Sequence, residues 1–131
     1  MLEPPPKLDA IVNAVIGAAF EVDRILGPGF LERVYEEALA VELKLRGISF
    51  ERQQAINVSY KGQLIGEGRA DFIVGSSLIV ELKAVDRLLP LHQAQVISYL
   101  KAAKYRLGLL INFREALLRD GVKRVIFTTP D

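Results

Sequence analysis

The 131-residue chain has no cysteine and a single histidine, His92. The first absence excludes disulfides, zinc–thiolate centres and thiol nucleophiles. The second removes any metal site built from several imidazoles and disfavours a Ser-His-Asp triad. A metal must then be held mainly by oxygen, which suits Mg²⁺, Mn²⁺ or Ca²⁺. Charge of one sign is missing too. Seventeen Lys and Arg face sixteen Asp and Glu, for a net charge of +1. Global charge therefore does not announce a nucleic-acid binder, although acidic surface elsewhere can balance a basic groove. No apolar run is long enough to span a bilayer. The start, "MLEPPPKLD", lacks a basic segment followed by an apolar stretch, so no signal peptide and no membrane partner are expected, and the default location is cytoplasmic.

Half of the residues are hydrophobic and a quarter charged, an ordinary balance for a folded globular domain. The length suits one domain with one core over residues 1–131. Residues 1–7, with Pro4 to Pro6, read as a short stiff lead-in. Helical spacing follows in "KLDAIVNAVIGAAFEVDRIL", with Val12, Val15, Ile16, Ala19, Val22 and Leu26 on one stripe. Gly27-Pro28-Gly29 breaks that helix. A second helix over "LERVYEEALAVELKLRG" places Leu31, Val34, Tyr35, Ala38, Val41 and Leu45 on its expected core face, and Gly47 stops it.

The period then drops to two. "ISFERQQAINVSY" and "QLIGEGRADFIV" read as strands around a Lys61-Gly62 hairpin turn. A "GSS" turn leads into "LIVELKA". Pro90 opens a third helix, "PLHQAQVISYLKAA". "YRLGLLINF" reads as an interior strand and "DGVKRVIF" as a final edge strand. The order ααβββαβ(β) predicts an α/β fold with a mixed central sheet flanked by helices.

In "LIVELKAV", Glu81 and Lys83 stand two apart in an apolar strand, so both point to one face. On the preceding strand Glu67, Arg69, Asp71 and Ile73 are expected to share a face, with Gly68, Ala70, Phe72 and Val74 on the other. A tight turn near Gly75 to Ser77 makes the strands antiparallel neighbours and brings Asp71 level with Glu81. Two carboxylates beside an ammonium suit a divalent cation. A cation there polarises a phosphodiester, and a lysine can position the attacking water. The same residues also fit a plain salt-bridge cluster.

Asp71-x9-Glu81-x-Lys83 resembles the PD-(D/E)XK nuclease signature, with Ala70 where the proline usually stands. "QVISY", Gln95 to Tyr99, resembles the helix motif of RecB-like nucleases. "GFLERVY" gives Gly29, Glu32 and Tyr35 in the G-x-x-E-x-x-Y pattern of the GxxExxY proteins of that superfamily. The resemblance covers nearly the whole chain and implies a restriction-endonuclease-like fold. It implies a Mg²⁺- or Mn²⁺-dependent nuclease acting on nucleic acid, with DNA the expected substrate. It assigns metal binding to Asp71, Glu81, Glu32 and the Leu82 carbonyl, and catalysis to Lys83 with Gln95 nearby. Tyr99 is implied as a phosphate contact, Gly29 as the turn into the helix and Tyr35 as its packing residue. Plainer roles stand beside these: Glu32 as a helix N-terminal acid, Gln95 and Tyr99 as a surface pair, and His92 as a capping residue. Two other functions compete, a catalytically silent module that binds nucleic acid or protein, and a subunit that forms homo-oligomers through its two N-terminal helices.

Overall fold

Alternating apolar residues on either side of Lys61-Gly62 fold into a long antiparallel hairpin, β1 (Phe50–Tyr60) and β2 (Gln63–Val74). Lys61 and Gly62 have φ of 49° and 80°, the left-handed conformations that a tight hairpin turn requires. The computed structural model describes residues 6–128. A second left-handed turn at Gly75 and Ser76 returns the chain as β3 (Leu78–Lys83), antiparallel to β2. Helix α3 (Pro90–Ala103) then crosses over, so that β4 (Leu107–Asn112) lies parallel to β3. A 3₁₀ turn at Leu118–Gly121 precedes the antiparallel edge strand β5 (Val122–Ile126). The spatial order is β1-β2-β3-β4-β5, a five-stranded mixed sheet.

Both faces are covered. Helices α1 (Pro6–Leu26) and α2 (Glu32–Leu45) pack on one, where Val12, Val15 and Tyr35 meet Phe72, Val80 and Leu82. Helix α3 covers the other, with Val96 and Leu100 against Ile79, Leu110 and Val125. Every residue of β4 is buried, as expected of an interior strand with helices on both sides. No helix among the described residues is long and apolar enough to cross a membrane. The expected α/β architecture is the observed one.

Three local expectations need correction. The lead-in over 1–7 lies outside the described residues except for Pro6 and Lys7, which already belong to α1. Helix α2 carries two apolar stripes, and the core takes Tyr35, Leu39 and Leu43, leaving Leu31, Val34, Val41 and Leu45 exposed. The buried stripe wins because Tyr35 stacks flat on Phe113, 4.5 Å between ring centroids, and its hydroxyl finds polar partners. Third, β2 does not keep one alternation. Ala70 and Ile73, three apart, pack together on the α3 side, while Phe72 and Val74 face α1 and α2. Likewise Phe50 and Ile56 share a parity in β1 but pack on opposite faces. The switch occurs where Gln53, at φ 49°, interrupts β1 opposite Asp71.

Candidate active site

The interruption at Gln53 is what opens the site. The β1–β2 ladder pairs Arg52 with Phe72 and Gln54 with Ala70, stepping over Gln53 and Asp71. The β2–β3 ladder runs only from Phe72–Val80 to Val74–Leu78. Beyond it two carboxylates take over from backbone pairing. Glu81 Oε2 accepts the Asp71 backbone N–H at 2.7 Å, and Asp71 Oδ2 accepts the Leu82 N–H at 2.8 Å. Each acid thus caps the other strand, which satisfies two buried donors and fixes both carboxylates in one place.

Glu81 is only 4% exposed. Its carboxyl is pushed up to about 8, first by desolvation and then by the Asp71 charge and a shared side-chain hydrogen bond with Asp71. The Asp71 N–H and the Lys83 ammonium pull it back in part. Two carboxylates this close, one of them buried, do not both ionise easily near neutral pH without added positive charge. That deficit fits a divalent cation, and the all-oxygen donor set fits a hard one such as Mg²⁺.

Lys83 ends β3 on the same face, two residues beyond Glu81, and its carbonyl accepts the Phe113 N–H at 2.8 Å. Glu32 opens α2. Partial burial raises its carboxyl, Lys83 lowers it, and Asp71 and Glu36 raise it again, which places it in the electrostatic reach of the site. Among the described residues, however, no three acidic or imidazole side chains close into a metal-holding group. The acidic set drawn together is the pair Asp71 and Glu81, with Glu32 standing off. Leu82 contributes its N–H to the described bonds, and its side chain lies in the α1–α2 core.

The G-x-x-E-x-x-Y residues have a legible physical job. Gly29 sits at φ 122°, a conformation open to glycine. The Tyr35 hydroxyl donates to the Gly27 carbonyl at 2.6 Å and accepts the Phe30 N–H at 3.1 Å. Together they fasten the interhelical loop and so set where Glu32 enters the helix.

The structure does not join Gln95 to the acids. Its amide donates to the Tyr99 hydroxyl at 3.4 Å, and no described hydrogen bond links it to Asp71, Glu81 or Lys83. Tyr99 packs against Gly68, where a Cβ would fall 2.4 Å from its ring. His92 Nδ1 accepts the Leu89 N–H at 2.9 Å, a helix-capping role.

Several participants escaped sequence reasoning. Gln53 Nε2 donates to Asp71 Oδ1 at 3.2 Å and to Glu36 Oε1 at 2.9 Å. Glu36 and Glu37 hold Arg52 at 2.9 and 2.7 Å. Buried Asn112 binds Val85 through both its N–H and its carbonyl, which fixes the chain leaving Lys83. A polar residue ending the apolar run of β4 was the only signal for Asn112. Nothing in the pattern marked Gln53.

Residues 9–125 match the family model described as the PD-(D/E)XK nuclease superfamily. None of the curated proteins compared with the chain matches it. Among solved structures, the chain resembles SSO0001 with a TM-score of 0.58 at 22% identity, over 75% of this chain and 50% of that one. It thus spans half the length of SSO0001. It also resembles an alkaline exonuclease, LHK-Exo from Laribacter hongkongensis, with a TM-score of 0.53 at 12% identity, over 98% of this chain and 73% of that one. At these identities the likeness is one of fold.

Proposed function

We infer that this chain, which belongs to the PD-(D/E)XK nuclease superfamily, is a divalent-metal-dependent nuclease of the GxxExxY type that hydrolyses phosphodiester bonds in DNA. One observation carries the reading: Asp71 and Glu81 are locked together across two parted strands, with Lys83 on the same face. A solvated ion-pair cluster has no need for carboxylates held by each other's backbone.

In this reading Asp71 and Glu81 hold Mg²⁺ or Mn²⁺, with Glu32 and the Leu82 carbonyl as outer candidates. The cation, when bound, supplies Lewis acidity at the phosphodiester. Lys83 orients the attacking water and offsets charge that builds on the phosphate oxygens. Glu32 adds negative charge that favours a cation at the mouth of the site. Gln53 holds Asp71 in position. Tyr99 and Gln95, bonded to each other on α3, meet substrate phosphate on the α3 flank, outside the reacting centre.

The test incubates purified protein with linear, nicked, branched and single-stranded DNA in Mg²⁺, Mn²⁺ or chelator. Asp71→Ala and Lys83→Ala run beside it. Metal-dependent cleavage lost in both variants is the expected result. No cleavage of any substrate, with equal DNA binding by wild type and variants, overturns the nuclease reading in favour of a silent binding module.

A further inference from the structure

Helix α2 and its N-cap Leu31 carry a regular apolar seam that is exposed at four positions and half-buried at Ala38, which also touches the core. Leu31, Val34, Ala38, Val41 and Leu45 recur at alternating spacings of three and four, the a/d pattern of a helix that pairs with another helix. Leu31, Val34, Val41 and Leu45 are 75%, 39%, 59% and 76% exposed. At 3.6 residues per turn the seam is centred about 120° around the helix from the stripe of Tyr35, Leu39 and Leu43 that enters the core. Four large apolar side chains exposed along one helix face are uncommon on a monomer.

We propose that the seam is the interface of a homodimer, in which α2 packs antiparallel against α2 of a second copy. The helix is complementary to itself in that arrangement. A twofold axis passing between residues 39 and 40 opposes Val34 to Leu45 of the partner subunit and small Ala38 to Val41 of the partner subunit. Each layer then combines one larger and one smaller side chain. The same register sets Glu37 beside Lys44 of the partner subunit, and symmetry makes that ion pair twice. Lys44 has no ion pair among the described residues, and Glu37, although it holds Arg52, keeps a side chain 58% exposed. A parallel pairing instead sets Glu37 against Glu42 of the partner subunit, two like charges. The seam faces away from Glu32, so both candidate active sites stay open in the dimer. The proposal rests on surface pattern and charge, independently of the nuclease reading.

The experiment is sedimentation analysis of the full chain over the micromolar range, with circular dichroism to confirm folding. Wild type is expected to be a dimer. Lys44→Glu sets like charges against each other twice and raises the dissociation constant by about tenfold, and adding Glu37→Lys restores it. Val41→Glu gives a monomer. Because the chain has no native cysteine, Ala38→Cys combined with Val41→Cys is expected to cross-link two copies under mild oxidation. A monomer at the highest concentration, or a dimer unmoved by Lys44→Glu and Val41→Glu, overturns the proposal. Failure of both the double charge reversal and the cross-link overturns the antiparallel register.

Discussion

Asp71 and Glu81 each hold the backbone of the strand opposite: Glu81 Oε2 takes the Asp71 N–H at 2.7 Å, and Asp71 Oδ2 takes the N–H after Glu81, that of Leu82, at 2.8 Å. The two acids therefore have a structural and a chemical role that different substitutions separate. Asp71→Ala leaves the Leu82 N–H without its acceptor, at a cost of about 1–3 kcal/mol. Asp71→Asn keeps a carbonyl oxygen for the Leu82 N–H, removes the charge and gives up the second oxygen, which accepts from Gln53 Nε2. Urea unfolding is expected to show Asp71→Ala clearly destabilised and Asp71→Asn within about 1 kcal/mol of wild type. Calorimetric titration is expected to show Mg²⁺ binding lost in both. Wild-type Mg²⁺ affinity in either variant contradicts the proposed site.

Glu81 makes metal-free stability depend on pH, and the sign follows from its raised carboxyl. The group changes from 4.5 in the unfolded chain to about 8 when folded. Between those values the folded state holds a proton that the unfolded state has released, so stability falls as pH rises through this window. Thermal unfolding in chelator is expected to show a falling Tm from about pH 5 to pH 8. Glu81→Gln, which cannot ionise, is expected to flatten that slope. Removing the chelator and adding Mg²⁺ is expected to raise Tm more at pH 8 than at pH 5, because the cation favours the ionised pair. Equal slopes in wild type and Glu81→Gln place the pH dependence elsewhere.

Much of this architecture was legible because local patterns were unambiguous. Period two around Lys61-Gly62, the turn at Gly75 to Ser77 and Pro90 at a helix start mark the same elements in the sequence and in the fold. The pairing of Asp71 with Glu81 was legible from their equal distance to one turn. What periodicity could not show was a break in itself. A strand kink at Gln53 reverses which side chains face which layer, and no turn-forming residue announces it. In α2 two apolar stripes compete, and only the stacking of Tyr35 on Phe113, a residue 78 positions away, decides between them. Gln95 and Tyr99 share a helix face as their spacing required, but spacing does not reveal that the Tyr99 ring rests on Gly68 of β2.

Tyr99 and Gly68 provide a test of that contact. A methyl group at Gly68 would lie 2.4 Å from the Tyr99 ring, so one of the two must move. Gly68→Ala is expected to cost about 1–3 kcal/mol from overpacking. Tyr99→Ala alone loses aromatic burial. The double variant is expected to be more stable than the sum of the two losses, since the clash disappears with the ring. A double-mutant cycle in urea measures this coupling. Additive losses mean that Tyr99 does not rest on Gly68 in solution.

Gln53 joins strain to function. Its φ of 49° is costly for a residue with a Cβ, and its amide bridges Asp71 and Glu36. Gly at this position relieves the backbone but removes the bridge, so stability and activity are expected to part company. Gln53→Gly is expected to change unfolding free energy by no more than about 1 kcal/mol, since relief of strain offsets the lost hydrogen bonds. Asp71 then keeps its bond to Leu82 but loses the donor on its other oxygen. Groups that orient a metal-binding carboxylate are worth about 10- to 100-fold in affinity or activity. Gln53→Gly is therefore expected to lower Mg²⁺ affinity and kcat by about tenfold or more with KM for DNA little changed, and Gln53→Asn, whose short side chain tolerates a left-handed φ but falls one methylene short of Asp71, is expected to keep stability and lose affinity in the same way. Stability lost in step with activity would make Gln53 a packing residue, and activity unchanged in Gln53→Gly would show that Asp71 is held by β3 alone.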